Sequence, residues 1–387
     1  MKQKRDAVII AYGRSALARA NKGGFINTHP VDYAAQTLQG VLAKAPALDA
    51  GDIEDIICGC AMPEKYTGFN IGRLIAQKAG LPDSVPGQTV NRFCSSGLQA
   101  IATAANAIAA GQMDIIAAGG VEMMTGMQMG HPDEFQDVQL REQLPGTYMS
   151  MGLTAENVAE QYGITRLEME ELAVASHQKA AAAQAAGKFT EEIIPVRANT
   201  LDGTVIIQED AGIRPDTNLA GLATLKPCFK ENGTVTAATS SQMTDGASFL
   251  LLTSREKAEE LGLPPVATLK AFAVSGVAAD VMGIGPLAAV PQIMKKTGLS
   301  VNDMDVIELN EAFASQAIAC IRELELPIDK VNPNGGAMAL GHPMGATGAI
   351  LTCKVLSELK RSGGKYGLVT MCIGGGMGAA GIFEMES

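Results

Sequence analysis

Three short segments of the chain carry side chains that could transfer an acyl group. The first contains Cys94, which follows an apolar stretch and precedes Ser95-Ser96-Gly97 and an alanine-rich segment. We therefore expect the thiol at the start of a helix, where the dipole and the unsatisfied N–H groups lower a thiol pKa. A buried, unreactive cysteine is the alternative, and this segment alone does not decide between the two.

His342 lies in a segment that is rich in glycine. Residues 334–348 read NGGAMALGHPMGATG, and their five glycines allow a backbone to pass close to a ligand. An imidazole between Gly341 and Pro343 is badly placed for packing, so we interpret His342 as a general base that removes a thiol proton. The other three histidines are expected at the surface or in packing: His29, His131 and His177.

A second cysteine, Cys372, ends an apolar stretch and precedes a turn of three glycines, residues 374–376. Glycine-rich turns can bind nucleotides, but the chain continues into a strand-like stretch and lacks the helix that such binding needs. A turn whose N–H groups face an oxyanion fits better. Asn310 lies in residues 308–314 (ELNEAFA), after another apolar stretch. Helix capping is the alternative for this residue.

The composition excludes several classes of function. Of the 387 residues, 47% are hydrophobic and 18% are charged, which is typical of a well-buried protein with two or three domains. A net charge of −11 argues against nucleic acid as a partner. No run approaches the roughly 18 apolar residues of a membrane span. The apolar stretch near the start, residues 7–11, is too short for a signal peptide.

The cysteines indicate a cytoplasmic location. Seven cysteines without the spacing of a disulfide framework fit a reducing compartment. Cys58 and Cys60 form a C-x-C pair, but no second pair of Cys or His lies nearby to complete a zinc site. We interpret both as buried strand residues and expect no metal.

The elements that must position these residues occur twice. Residues 51–57 resemble 301–307, residues 89–91 resemble 330–332, and residues 113–120 resemble 366–372. Apolar strands that alternate with alanine-rich helices predict an α/β fold in which helices cover mixed sheets. Residues from about 120 to 240 differ in composition and contain an amphipathic helix from Arg166 to about Ala186. We interpret them as an inserted lid or substrate domain.

Taken together, the segments CSSG, NEAFA, GHP and CIGGG resemble the thiolase family, in order and over nearly the whole chain. The resemblance implies the thiolase fold, with two pseudo-repeated βαβαβαββ halves in a five-layered αβαβα arrangement and an inserted loop domain. On this basis the N-terminal half is expected at residues 1–119 and 241–263. The loop domain is expected at 120–240 and the C-terminal half at 264–387.

The resemblance also implies a role for each residue of the candidate site. Cys94 is expected to be the acylated nucleophile, and His342 the base that activates it and helps to stabilise the enolate oxygen. Cys372 is expected to exchange a proton with the α-carbon of acetyl-CoA, and Asn310 to hold a water beside that oxygen. The N–H groups of Cys94 and Gly374 would form a second oxyanion hole.

Coenzyme A is the implied co-substrate, with no tightly bound cofactor. Residues 236–243, which include Ala237, resemble the stretch that contacts the pantetheine arm, with Ser241 as a donor. Arg214 matches a position near the adenine and the phosphates. For Phe229 and Met151, packing within the loop domain is an equal alternative to contact with CoA. The expected tunnel walls are Met151, Phe229, Ala312 and Phe313.

The implied activity is cleavage of a 3-ketoacyl-CoA by CoA, as in fatty acid β-oxidation. Ser150 stands where short-chain biosynthetic thiolases tend to have a histidine, and residues 122–145 look shorter than their tetramerisation loop. Both features favour a degradative enzyme and a homodimer, which could dock with a hydratase/dehydrogenase subunit. The alternatives are an acetyl-CoA C-acetyltransferase and a non-catalytic, lipid-binding relative. The acyl-chain length stays open, with four candidate tunnel residues: Met123, Met124, Met127 and Met129.

Overall fold

The computed structural model describes residues 3–201 and 203–386. The outer ends of the two predicted halves, residues 1–2 and 387, and Asp202 of the predicted loop domain lie outside these ranges. The strands are β1 (Ala7–Ser15), β2 (Ala18–Arg19), β3 (Asp55–Gly59), β4 (Gln88–Val90), β5 (Ile115–Glu122), β6 (Ile193–Ile194), β7 (Val196–Thr200), β8 (Gly203–Ile207), β9 (Thr244–Ser254), β10 (Ala267–Gly276), β11 (Val306–Leu309), β12 (Tyr366–Ile373) and β13 (Met377–Met385). The helices are α1 (Pro30–Leu42), α2 (Ile71–Lys78), α3 (Ser96–Ala109), α4 (Val138–Gln143), α5 (Met151–Gln161), α6 (Arg166–Ala185), α7 (Leu219–Leu222), α8 (Arg255–Glu260), α9 (Gly285–Thr297), α10 (Ala314–Glu323), α11 (Ala337–Leu340) and α12 (Met344–Ser362).

The predicted repeat is present. The first copy runs β1-α1-β3-α2-β4-α3-β5 and closes with β9. The second copy runs β10-α9-β11-α10, continues through α12 and β12, and closes with β13. The counterpart of β4 is reduced to a single bridge between Ile307 and Val331. Each copy therefore presents the end of a strand and the start of a buried helix at the same place.

Most strands form one sheet with the main order β11-β12-β13-β10-β1-β9-β5-β3-β4, to which β2 adds beside β9 and β6 beside β1, while β7 and β8 form a separate hairpin. Within the first copy β3 is parallel to β4 and β5, and β9 is antiparallel to β1 and β5. The two copies join where β1 pairs with β10, through Val8↔Thr268 and Ile9↔Ala267. This short junction lets the two halves of the sheet face each other.

Five layers result from this arrangement. Helices α1 and α2 pack on the outer face of the first half-sheet, and α9 and α10 pack on the outer face of the second. Helices α3 and α12 lie between the half-sheets. Their backbones touch, since a Cβ on Gly97 would lie 2.9 Å from the Ala349 nitrogen and 3.0 Å from the Gly345 oxygen. Small residues at this crossing are therefore required, which explains part of the glycine-rich composition.

Between β5 and β9 the chain leaves the first half-sheet and forms helices α4 to α7 and the hairpin β7-β8. Helix α6 has nearly the predicted bounds, but its buried side includes polar residues such as Glu170, Ser176 and His177 and is less apolar than expected. It begins with a capping box of Thr165 and Glu168. A buried ion-pair cluster ties this region to β1, because Arg14 bonds Glu192 at 2.8 Å and Asp210 at 2.8 Å. In the two described ranges, no helix is both long and apolar enough to cross a membrane.

Candidate active site

Cys94 lies in a sharp turn between β4 and α3. The turn, Phe93–Ser95, is a single 3-10 turn, and Phe93 has a φ of 43°, which a non-glycine residue adopts rarely. Two side chains hold it: Asn91 accepts from the Phe93 nitrogen at 2.8 Å, and Ser96 donates to the Phe93 carbonyl at 2.6 Å. The turn directs the thiol of Cys94 into the interior, where it is 2% exposed.

Burial dominates the electrostatics of the Cys94 thiol. It raises the pKa to about 11, although the backbone N–H groups of Gly374 and of Cys94 itself oppose this change. Glu122 adds a smaller rise through its charge. The helix start does supply favourable N–H groups as expected, but the expected net lowering of the pKa is wrong. The resting thiol is therefore protonated at neutral pH and needs a base.

His342 has the protonation state that such a base requires. Its ring is 5% exposed, and burial lowers its pKa to about 4, so the imidazole is neutral at neutral pH. Nδ1 lies 2.6 Å from Oγ1 of Thr347, and that hydroxyl donates to the Pro343 carbonyl at 3.0 Å. Because Thr347 has only one hydroxyl proton, it accepts from Nδ1–H. Nε2 is consequently the unprotonated nitrogen that can take a proton.

Asn310 faces the same nitrogen. Its backbone N–H donates to the Thr370 carbonyl at 3.0 Å, which fixes the residue directly after β11. Its Nδ2 lies 3.4 Å from Nε2 of His342, and its buried Oδ1 has no hydrogen-bond partner among the described residues. A buried carbonyl oxygen of this kind is available to a water or a substrate.

The loop that carries His342 is anchored by Glu311, which sequence reasoning did not single out. Its carboxylate accepts from Ser176 Oγ at 2.7 Å, Asn332 Nδ2 at 2.9 Å and the Met338 nitrogen at 3.3 Å. A Cβ at Gly336 would collide with this carboxylate. The glycine-rich segment is thus packed tightly around a buried acid, which only glycine allows here.

Cys372 lies near the end of β12 and is fully buried. Burial raises its pKa well above the usual range, and the nearby sulfur of Cys94 raises it further. The turn that follows has φ of 81° at Gly375 and 87° at Gly376, a left-handed conformation that favours glycine. This turn brings the Gly374 N–H to the Cys94 sulfur. The structure thus brings the two thiols and the predicted pair of N–H groups together, and it separately pairs His342 with Asn310. Met344, two residues after His342, packs in the cluster around Cys94.

Most predicted CoA contacts gather at one side of this group. Met151 packs with the cluster around Cys94 and with the cluster around Cys372, and its sulfur would lie 3.7 Å from a Cβ on Gly374. The rings of Phe229 and Phe313 meet edge to face at 6.0 Å. Ser241 and Ala237 lie on the segment that joins this region, where the Ser241 nitrogen donates to the Ala312 carbonyl at 2.9 Å.

Arg214 lies farther out and is exposed. Its nitrogen donates to Nδ1 of His177 at 3.1 Å, so the buried His177 has a packing role as expected. Burial and then the charge of Arg19 lower the pKa of Arg214. Of the four methionines proposed for the acyl tunnel, Met124 packs directly with Cys94.

Glu122 and Thr347 are further residues that sequence reasoning missed. Glu122 bonds residues that are distant in sequence, and Thr347 bonds His342 from the first turn of α12. No local sequence pattern identifies either residue. Cys58 and Cys60 are buried as expected. In residues 3–201 and 203–386, no group of three His, Cys, Asp or Glu side chains could hold a metal ion.

The sequence matches two family profiles, “Thiolase, N-terminal domain” over residues 7–256 and “Thiolase, C-terminal domain” over residues 263–385. It is 48% identical over 391 residues to “3-ketoacyl-CoA thiolase” of Bacillus subtilis, covering 98% of this chain and 100% of that protein. It is 46% identical to “3-ketoacyl-CoA thiolase, peroxisomal” of Homo sapiens, covering 98% and 91%. The structure of Bacillus anthracis acetyl-CoA acetyltransferase is similar, with a TM-score of 0.91, 38% identity and full coverage of both chains.

Proposed function

Because the chain belongs to the thiolase family and has the thiolase fold, we propose that it cleaves a 3-ketoacyl-CoA with CoA, giving acyl-CoA and acetyl-CoA. The names of its relatives from bacteria and mammals support a degradative thiolase. The observation that carries the proposal is the proximity of the Cys94 and Cys372 sulfurs and the Gly374 N–H. The neutral His342 lies two residues before Met344, which packs in the cluster around Cys94. An acyltransferase needs a nucleophile, a base and an oxyanion site within reach of each other.

In the first half-reaction, Nε2 of His342 takes the thiol proton while the Cys94 sulfur attacks the C3 carbonyl carbon of the substrate. The N–H groups of Cys94 and Gly374 donate to the oxygen that becomes negative, and a water-poor site makes such bonds effective. The C2–C3 bond then breaks. The acyl group stays on Cys94 as a thioester, and acetyl-CoA departs as its enolate.

The enolate is then protonated. Its oxygen accepts from the protonated ring of His342 and from a water held by Asn310, whose Oδ1 is otherwise unpartnered. The Cys372 thiol gives its proton to the α-carbon and becomes a thiolate. In the second half-reaction this thiolate takes the proton of a new CoA thiol, which attacks the thioester. Acyl-CoA leaves, and the Cys94 sulfur recovers its proton from His342.

We propose that CoA reaches Cys94 along the side formed by the loop domain. The edge-to-face pair of Phe229 and Phe313 supports an apolar wall for the pantetheine arm. Arg214, with Arg19 close enough to lower its pKa, supplies positive charge where the phosphates would lie. The proposed contacts are Met151, Arg214, Phe229, Ala237, Ser241 and Phe313.

We also propose a homodimer. Strand β4 is an edge of the sheet and has exposed and half-buried residues, and unprotected edge strands tend to pair with another chain. Three exposed aromatic side chains support an interface on this side: Tyr66 at 58%, Phe69 at 89% and Phe93 at 43% exposed. Docking with a hydratase/dehydrogenase subunit stays part of the proposal.

The domain boundaries and the location also stay proposals. The boundaries are 1–119 with 241–263, 120–240, and 264–387. We propose a cytoplasmic location because the cysteines of the described residues are free and one relative is bacterial. The names of the mammalian relatives place those proteins in peroxisomes.

The direct test is turnover of purified protein with acetoacetyl-CoA and with a 3-ketoacyl-CoA of about ten carbons, each with free CoA. The loss of 3-ketoacyl-CoA absorbance is followed for wild type, Cys94→Ala and Cys353→Ala. Cys353 is a matched control because it is a buried cysteine on α12 that bonds Ser248. Faster cleavage of the longer substrate, lost only in Cys94→Ala, supports the proposal.

The similarity to an acetyl-CoA acetyltransferase favours one competing function, the condensation of two acetyl-CoA to acetoacetyl-CoA. Activity confined to acetoacetyl-CoA would favour that enzyme. If wild type, Cys94→Ala and Cys353→Ala show the same rate of substrate loss, that loss does not depend on Cys94. This result would contradict both enzymatic functions and leave a lipid-binding relative.

A further inference from the structure

Glu122 is a fully buried carboxylate that takes no part in the steps above. It ends β5, and its two oxygens accept four donors from two other parts of the chain. Oε2 accepts from the nitrogens of Ala61 and Gly345, both at 2.8 Å. Oε1 accepts from the Met62 nitrogen at 3.3 Å and from the thiol of Cys60 at 3.5 Å.

These donors border the pocket of the Cys94 thiol. The cluster around Cys94 contains Ala61 and Met344, with Met62 packed against it. Ala61 and Met62 are themselves donors to Glu122, and Met344 directly precedes the donor Gly345. The carboxylate therefore joins the opposite walls of the pocket, one from the turn after β3 and one from the first turn of α12.

The same contact bears on the base. Gly345 follows His342 by three residues, and its N–H belongs to the first turn of α12, where a negative charge is favourable. The backbone at Gly345 is tightly packed, since a Cβ on this residue would lie 2.6 Å from the Ala61 nitrogen and 2.9 Å from Glu122 Oε2. A change in the Glu122 side chain must therefore move α12, the turn at residues 60–62, or both.

We propose that Glu122 is a positioning residue for the acyl-transfer site: it fixes the walls of the Cys94 pocket and sets the negative field at the sulfur. The positional part follows from the hydrogen bonds of its carboxylate. The field follows from its ionised form, which three backbone N–H groups and a helix start stabilise. Burial raises the pKa of Glu122, and the same N–H groups oppose that rise.

The two parts predict opposite effects in Glu122→Gln. An amide has one acceptor oxygen, and its NH₂ group would face N–H donors, so at least one backbone bond is lost. Displacement of a reacting group by about 1 Å costs up to about a hundredfold in rate, and we expect turnover to fall tenfold or more. Removal of the charge makes the Cys94 thiolate easier to form, so alkylation by iodoacetamide should accelerate.

The faster alkylation of Cys94 in Glu122→Gln is measurable at pH 8.5. The other titratable groups of the candidate site are the thiol of Cys372, which lies near the Cys94 sulfur and has a raised pKa, and the imidazole of His342, whose pKa is lowered. Both are neutral at this pH, so Glu122 supplies the charge that changes. The wild-type thiol is mostly protonated at this pH, so its alkylation rate follows the thiolate fraction, and we expect an increase of about threefold or more.

The experiment compares wild type, Glu122→Gln, Glu122→Asp and Asp55→Asn by turnover and by the alkylation rate of Cys94, with thermal unfolding as a check on folding. Glu122→Asp keeps the charge but shortens the reach, so turnover should fall while alkylation stays near wild type. Asp55 is a matched control because it is a buried carboxylate at the opposite end of β3, bonded to Gln88.

Faster alkylation together with slower turnover in Glu122→Gln is the expected result. Slower turnover with unchanged alkylation means that Glu122 is only structural and overturns the inference, as does wild-type turnover in Glu122→Gln. If Glu122→Gln does not fold, Glu122→Asp decides, and wild-type turnover there overturns it. The turnover arm rests on the proposed function, but the alkylation arm does not. An inactive wild type with the expected alkylation pattern would therefore refute only the proposed function.

Discussion

Thr347→Val should impair the base without changing the shape of the site. Valine has the same branched form as threonine but lacks the hydroxyl that accepts from Nδ1 of His342 at 2.6 Å. Thr347 is 2% exposed, so no solvent replaces that acceptor. A buried donor left unsatisfied costs about 1–3 kcal/mol. The variant should therefore favour the other tautomer, in which Nε2 carries the proton.

A tautomer shift of this size has a direct kinetic consequence. Only the form with a free Nε2 can take the Cys94 proton, and a bias of about 1–3 kcal/mol reduces that form roughly five- to 150-fold. We expect kcat to fall by a similar factor while KM changes little, because Thr347 contacts the ring and the Pro343 carbonyl. Thr347→Ser keeps the hydroxyl and should stay within about threefold of wild type.

The pH profile separates a tautomer effect from a pKa effect. Burial holds the pKa of His342 at about 4, so the ring is neutral from pH 6 to 9 and the loss should be uniform over that range. The assay is steady-state cleavage of a 3-ketoacyl-CoA across this range. Turnover of Thr347→Val within twofold of wild type, or an equal loss in Thr347→Ser, would refute the reasoning.

Three other predictions follow from buried ionisable groups. Arg14→Met leaves Glu192 and Asp210 buried without their cation, so urea unfolding should report a loss of about 3–5 kcal/mol, and a loss below about 1 kcal/mol would contradict this. Alkylation of Cys94 in the free protein should rise about tenfold per pH unit from 7 to 9 because its pKa is raised to about 11; a plateau near neutral pH would argue for a resting thiolate. Burial lowers the pKa of His177 to about 4, so the unfolded chain binds more protons below about pH 6.5 and stability is lost from there towards pH 4. His177→Gln should therefore lose less stability than wild type between pH 7 and 5, measured by the urea midpoint.

Sequence patterns could identify the main site residues because each stands at the end of a strand or the start of a helix. Cys94 follows β4, Asn310 follows β11, His342 precedes α12, and Cys372 nearly ends β12. Apolar stretches and glycine-rich turns mark such positions locally. The repeat of the elements also predicted mixed sheets covered by helices, whereas the five-layered arrangement was implied by the resemblance to the thiolase family.

The supporting residues could not be found in this way. Glu122 contacts residues about 60 positions before it and more than 220 positions after it, and Glu311, in the loop after β11, bonds Ser176 on α6. Both look like ordinary acidic residues in the sequence. Their importance comes from burial and from donors that only the folded chain assembles.

The direction of the Cys94 pKa shows the same limit in energetic terms. Local sequence predicts a helix start and hence a lower thiol pKa, but the depth of burial depends on Ala61, Met124 and Met344, which belong to three other segments. A rise from 9.0 to about 11 corresponds to roughly 3 kcal/mol against the thiolate. For this thiol, burial by distant segments outweighs the effect of the local helix start on the pKa.

The opposition between burial, which raises the Cys94 pKa, and the N–H groups, which lower it, has a chemical consequence. The two thiols and the imidazole are neutral at rest. In the proposed mechanism, charge therefore first appears at Cys94 when its proton moves to His342. On attack the negative charge passes from the sulfur to the carbonyl oxygen of the bound substrate, and the N–H groups that point at the sulfur in the free protein would then bond that oxygen. The cost of about 3 kcal/mol in the free protein is then offset only in the complex. The site should therefore be slow towards small alkylating agents and fast towards its thioester, which is the selectivity that an acyl-transfer enzyme with a buried cysteine requires.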